Sequence, residues 1–206
     1  MFGTRGFEAT SLDAIAAELG VRKQTILYYF PSKDELLDAV IDETTSALSS
    51  ELERTLARAG DGWDRIDAVV RKAFRLGARR PALLGLLREV TRLGPPHSGR
   101  MLADLDPLVK RAQGFLEEEM AAGRLRRHDS GAVLFTAYWA VIGMATEVEA
   151  QRALGGEPTL RELVRRRDGL LSLLRAALTP PYPISAWFRS GRGGCGGRWP
   201  GGSARR

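Results

Sequence analysis

Residues 10 to 37, TSLDAIAAELGVRKQTILYYFPSKDELL, constrain the fold more than any other stretch, because two breakers fix the lengths of the elements around them. Leu12, Ile15, Ala16 and Leu19 recur at helical spacing and give residues 11 to 19 one apolar face. Thr10, with Asp13 three positions on, reads as the N-cap of that helix. Gly20 supplies a left-handed stop, and Val21 after it reads as a buried plug. Ile26, Leu27 and Phe30 mark a second helix from Arg22 to Phe30. Pro31 ends it by driving the residue before it out of the helical region. Ser32 then caps a third helix, whose Asp34 and Glu35 suit the positive end of a helix dipole.

Helix, glycine turn, helix is the layout of a helix-turn-helix DNA reader. An ordinary helical hairpin with a solvated polar face has the same short pattern, so the polar residues matter. Arg22, Lys23, Gln24 and Thr25 open the second helix, where a recognition helix meets base edges. Arg and Lys pair with guanine, Gln with adenine, and a Thr methyl with thymine. Tyr28, Tyr29 and Lys33 bring hydroxyl and ammonium donors suited to phosphates.

The run GFEATSLDAIAAELGV, the second helix ending YYF, and PSKDELL after it resemble the DNA-binding domain of TetR-type transcriptional regulators. The resemblance covers about 40 residues. Beyond them only length and helical layout are similar. It implies base-facing roles for Arg22, Lys23, Gln24 and Thr25, and phosphate-facing roles for Thr10, Thr25, Tyr28, Tyr29 and Lys33. Three positions depart from the family pattern: Arg22 replaces a small capping residue, Gln24 a frequent Gly, and Leu27 a nearly invariant Tyr. The family also implies a first helix before the GFE segment. Only MFGTRGF stands there, with Phe2 as its last apolar residue and Gly6 in the turn, so that helix is expected to be largely missing and the gene start to lie upstream of Met1. Without that brace, Ile15, Leu19, Ile26 and Phe30 are expected to lose a packing partner.

The remaining apolar pattern is helical throughout, so the expected fold class is all-α: a helix-turn-helix DNA-binding domain at 1–40, a helical ligand-binding and dimerisation domain at 41–178, and a disordered Gly/Arg/Pro-rich tail at 179–206. Expected helices run over 33–58, 63–78, 81–93, 100–122, 129–154 and 159–178. GPPHSG at 94–99 is expected as a loop, Pro107 as a kink or division, and Thr159 as a cap. Between Ala132 and Ala145 the chain is apolar on nearly every side, which calls for burial all round. The last two helices, 129–154 and 159–178, suit a two-fold homodimer interface. A plain monomer core is the simpler use for them.

The net charge of +6 is almost wholly that of the tail: Arg189, Arg192, Arg198, Arg205 and Arg206, with no acid among them, leave +1 for residues 1–178. Charge is therefore weak support for nucleic-acid binding. The single Cys195 permits no intrachain disulfide and fits a cytoplasmic location. The longest uncharged run, Ser130 to Thr146, is short and interrupted by Ser, Thr and Gly, so no membrane span is expected. His97 and His128 lie in or beside loops without nearby ligand-spaced partners, and nucleophile and phosphate-loop motifs are absent, so neither catalysis, metal nor cofactor is expected. The family resemblance implies an apolar effector cavity, for which Phe74, Leu87, Met101, Phe115, Phe135, Tyr138, Trp139 and Met144 are candidates; ordinary core is the plainer explanation of the same spacing. The expected function is a homodimeric regulator that binds a palindromic operator in double-stranded DNA and is released, as a repressor, by an unknown small-molecule effector. The alternative is a helical dimer that binds a small molecule or protein, with no competent operator binding.

Overall fold

The computed structural model describes residues 1–147 and 159–180, together with residues 152, 153, 155 and 157. Among them the chain forms α1 (Phe2–Arg5), α2 (Leu12–Leu19), α3 (Lys23–Tyr29), α4 (Lys33–Leu56), α5 (Trp63–Arg79), α6 (Pro81–Leu93), α7 (His97–Ala121), α8 (Ser130–Thr146) and α9 (Leu160–Leu178). No strand occurs among the described residues. The tail beyond residue 180 and the expected helix end at 154 lie outside them.

Local chemistry explains most boundaries. Ser32 Oγ accepts from Glu35 N–H, and Thr159 Oγ1 from Glu162 N–H, so both caps fall where they were expected. Pro81 opens α6 at a position where its missing N–H costs nothing. Other expectations are corrected. The cap of α2 is Ser11, which accepts from Ala14 N–H at 3.1 Å, while Thr10 is fully buried and donates to Gly6 O at 2.7 Å. Helix α7 begins at His97, inside the expected loop, and runs unbroken through Pro107. Helix α4 runs through residue 40 without interruption, in line with the helix expected over 33–58.

The core is one continuous cluster. It runs from Phe2 and Phe7 through Leu37 and Ile41 of α4, Val70 and Phe74 of α5, and Leu84, Leu87 and Val90 of α6, to Ile142 of α8 and Leu170 and Leu174 of α9. Helix α6 lies at its centre and packs against α1, α5, α7 and α8. Its crossing with α1 is a backbone contact: a Cβ on Gly85 would lie 2.0 Å from Gly3 O, and one on Gly3 equally close to Ala82 O. No side chain larger than hydrogen fits either position. A smaller cluster, Leu116, Met120, Leu125 and Leu178, ties the end of α7 to the end of α9.

Helices α4 and α7 lie side by side and are joined by polar pairs. Asp38 meets His97, Asp42 meets Arg100, Thr45 donates to Asp104, and Glu53 meets Arg111. The partners in these four pairs are 58 or 59 residues apart, so the two helices run in the same direction.

Candidate nucleic-acid interface

Helices α2 and α3 pack on each other around a turn that only a particular backbone allows. Gly20 sits at φ 67° and ψ 27°, and its N–H closes α2 onto Ala16 O and Ala17 O. That conformation strains any residue with a Cβ. Val21 N–H also returns to Ala16 O, but its side chain is 41% exposed, so it is no buried plug. Of the apolar residues in α2 and α3, only Ala16 and Ile26 are buried, and Leu19 is 66% exposed. Leu19 borders a groove of about 740 Å³ lined chiefly by apolar residues, among them Phe2, Ile15, Leu36, Val40, Leu83 and Leu86. The one-turn α1 covers part of that space, with Phe2 itself buried.

The burial of Ile26 turns the opposite edge of α3 to solvent. Arg22, Gln24, Thr25, Tyr28 and Tyr29 are all exposed there. The two tyrosines lie edge to face, ring centroids 5.1 Å apart, with Tyr28 82% exposed. Lys23 is half-buried, and its ammonium meets Asp13 of α2 at 2.8 Å. Both members of that pair are partly solvated, so it adds little stability and leaves the ammonium free to exchange partners. Five of the eight expected DNA-contacting residues are therefore exposed on or at the start of α3.

Thr10 and Lys33 point elsewhere. The Thr10 hydroxyl is spent inward on Gly6 O. Lys33 Nζ donates to Phe7 O at 3.0 Å and lies 4.1 Å from the centroid of the Phe7 ring. Phe7 is thus a junction. Its N–H donates to Glu89 Oε1 of α6 at 2.8 Å, and its ring packs on Phe2 and on His97 of α7. Glu89 is buried, and Arg92 grips both its oxygens. The Arg92 guanidinium, aided by the Phe7 N–H, holds this carboxyl below the usual carboxylate range despite burial.

Phe7 and Glu89 were not singled out from sequence. His97 is not a solitary loop histidine: it is buried, and both ring nitrogens meet carboxylates, Asp38 Oδ1 at 2.8 Å and Asp34 Oδ1 at 3.2 Å. The available sign was the spacing of Asp34, Asp38 and Asp42, which puts three acids on one face of α4.

The eight effector candidates do not form one wall. Phe74, Leu87 and Met101 are buried in the main core, with Tyr138 and Met144 packed against it. Phe115 belongs to the smaller cluster. Phe135 is 66% exposed and stacks edge-on with Trp139, also partly exposed, so α8 is not buried all round in a single chain. The Tyr138 hydroxyl oxygen is buried without a well-aligned hydrogen-bond partner, beside Thr91, and burial pushes its pKa up. Two cavities flank the N-terminal turn, and none of the eight lines either one.

Together these features define a helix-turn-helix reader mounted on a helical body. Residues 1–40 match the model of the family described as "Bacterial regulatory proteins, tetR family". It is 34% identical over 92 residues to the HTH-type transcriptional repressor DrrR1 of Streptomyces coeruleorubidus, a match covering 44% of this chain and 32% of that protein. The chain spans only about a third of the length of the curated relatives it matches, 38% in another case. Its fold is similar to that of AibR in complex with isovaleryl coenzyme A and operator DNA, with 19% identity, a TM-score of 0.70, and 88% of this chain and 93% of that one covered. It is similar also to FadR of Bacillus subtilis in complex with stearoyl-CoA, with 18% identity, a TM-score of 0.68, and 84% and 91% covered.

Proposed function

We propose that the chain is a DNA-binding transcriptional regulator, acting in the cytoplasm as a repressor that a small molecule releases from its operator. The observation that carries this reading is the exposure of Arg22, Gln24, Thr25, Tyr28 and Tyr29 along a helix held by the Gly20 turn. Arg22, Gln24 and Thr25 are placed to read base edges, and Tyr28 and Tyr29 to fix the helix on phosphates. Lys23 joins them by leaving Asp13. Lys33 acts from behind, with donors beyond the one spent on Phe7 O.

Two readers require two chains. The apolar side chains left outside α8 and α9, Phe135, Trp139, Leu160, Val164 and Leu173, support a homodimer through those helices. Related folds solved with acyl-coenzyme A molecules support a small-molecule effector in the body. Phe74, Leu87, Met101, Tyr138 and Met144, gathered in and against the main core, are the side chains we assign to it. The second reading, a helical dimer without operator binding, draws support from the sparse burial of α2 and α3.

Fluorescence-anisotropy titration against DNA flanking its own gene, beside a scrambled duplex and at two salt concentrations, separates the readings. Tight, sequence-dependent binding is expected; equal, purely salt-driven binding to both duplexes overturns the regulator. Gln24→Ala changes sequence preference, whereas Lys33→Ala weakens binding to all duplexes and lowers the salt slope by about one.

A further inference from the structure

The groove of about 740 Å³ beside Leu19 takes its walls from both regions of the chain and contains none of the side chains assigned to the effector. Ile15 and Leu19 come from α2 of the reader, Leu36 and Val40 from α4, and Leu83 and Leu86 from α6 of the body. Helix α2 packs chiefly on α3, which leaves Leu19 66% exposed and Ile15 half-buried at the edge of this space. A concavity of that size and apolarity is within the range that encloses small molecules, about 300–1,000 Å³. The leucine, isoleucine and valine walls carry no hydrogen-bonding groups, so whatever lies along them is hydrocarbon.

The charged lining lies toward the corner between α5 and α6. It consists of Glu18, Arg79 and Arg80. Glu18 stands 4.0 Å from Arg5, which answers part of its charge. Arg79 and Arg80 are exposed and form no ion pair among the described residues; Glu51 feels the field of Arg80 but is hydrogen-bonded to Lys72. The first turn of α6 follows them directly with no side chain capping it, and its dipole adds to the same positive potential. We propose that this groove is a small-molecule site separate from the core, and that it takes an amphipathic carboxylate. The aliphatic chain lies along Leu19, Leu36, Val40, Leu83 and Leu86, and the carboxylate is held by Arg79 and Arg80, whose planar forks match it. Such an occupant touches α2 on one side and α6 on the other, so it braces the reader where the chain itself leaves space.

Binding at this site does not depend on the regulator reading. Calorimetric titration of the full chain with octanoate, octan-1-ol and butyrate tests it. Octanoate is expected to bind once per chain at submillimolar concentration. Octan-1-ol, which lacks the charge, and butyrate, which buries less hydrocarbon, are each expected to bind roughly tenfold more weakly. The double variant Arg79→Gln, Arg80→Gln changes exposed positions only. It is expected to bring octanoate down to the affinity of octan-1-ol and to leave octan-1-ol unchanged, a split that loosening of the fold does not produce. Leu19→Gln, also at an exposed position, is expected to weaken both by about fivefold. Octanoate is expected to slow hydrogen exchange in α2 more than in α8. Equal binding of octanoate and octan-1-ol by the wild type overturns the carboxylate assignment. Absent binding, or several molecules per chain, overturns the site. Octanoate binding that neither variant alters overturns it too, and leaves an effector in the core, and with it the regulator reading, standing. An affinity that falls as chain concentration rises gives the groove to a second copy instead.

Discussion

The reader and the body of this chain are built to different densities. Helices α2 and α3 bury one side chain each, Ala16 and Ile26, and expose Leu19, Tyr28 and Tyr29. Helices α4 to α9 share a continuous core in which Leu37, Ile41, Val90 and Ile142 are nearly or wholly shut off from water. A seven-residue helix such as α3 does not persist in water by its own hydrogen bonds. The difference teaches that the reader borrows its stability from the body, and that the loan passes through Phe7. That residue touches Phe2, Lys33, Glu89 and His97, which come from α1, α4, α6 and α7.

The largest effect is expected where the two regions meet. Phe7→Ala removes a buried aromatic ring and should cost about 3–5 kcal/mol, measured by denaturant unfolding. Hydrogen exchange in α2 and α3 should rise more than in α6; an equal rise everywhere breaks the comparison. Next, Leu87→Ala in the body should cost about 2–5 kcal/mol and lower protection throughout the chain. Ile26→Ala in the reader should fall at or below the bottom of that range and act on α2 and α3 alone.

Glu89→Gln comes third. It keeps an oxygen for the Phe7 N–H but loses the paired charge on Arg92, at about 1–3 kcal/mol near neutral pH. Because Arg92 holds the folded Glu89 carboxyl below its ordinary value, the stabilisation is present above the unfolded pKa of ~4.3 and is lost as pH falls through the folded one. The stability gap between wild type and variant should therefore narrow between about pH 5 and pH 3, read by thermal unfolding. A constant gap would show that the ion pair contributes nothing. The smallest change is Gly20→Ala, about 1 kcal/mol from left-handed strain, confined to the reader. A loss seen equally in the body would mean that the two regions unfold as one.

What the sequence made legible follows the same division. The reader is local in origin: Gly20, Pro31 and the apolar spacing between them set its helices without help from distant residues. Pro81 and Thr159 marked their helices for the same reason. The contacts that mount the reader lie far apart in sequence, Phe7 to Glu89 and Asp38 to His97 above all, and no periodicity encodes them. Lys33, expected to face phosphate, also donates to Phe7 O, 26 residues earlier, a contact that no local pattern encodes. Thr10 and Ser11 are both competent caps; burial of Thr10 against Gly6 O decided between them. Phe135 and Trp139 were expected inside, and their exposure follows from counting one chain where a two-fold pair is proposed.

The pairing between α4 and α7 carries a mechanical consequence. Its acids on α4, Asp34, Asp38 and Asp42, stand four residues apart, and Arg100 already bridges Asp42 and Asp38. A slide of α7 by one residue leaves every cation between anions, whereas a slide by a whole turn, about 5.4 Å, offers His97 and Arg100 a fresh set. The two helices thus form a ruler with few marks. The spacing of those acids makes one helical turn the step at which these pairs would re-form.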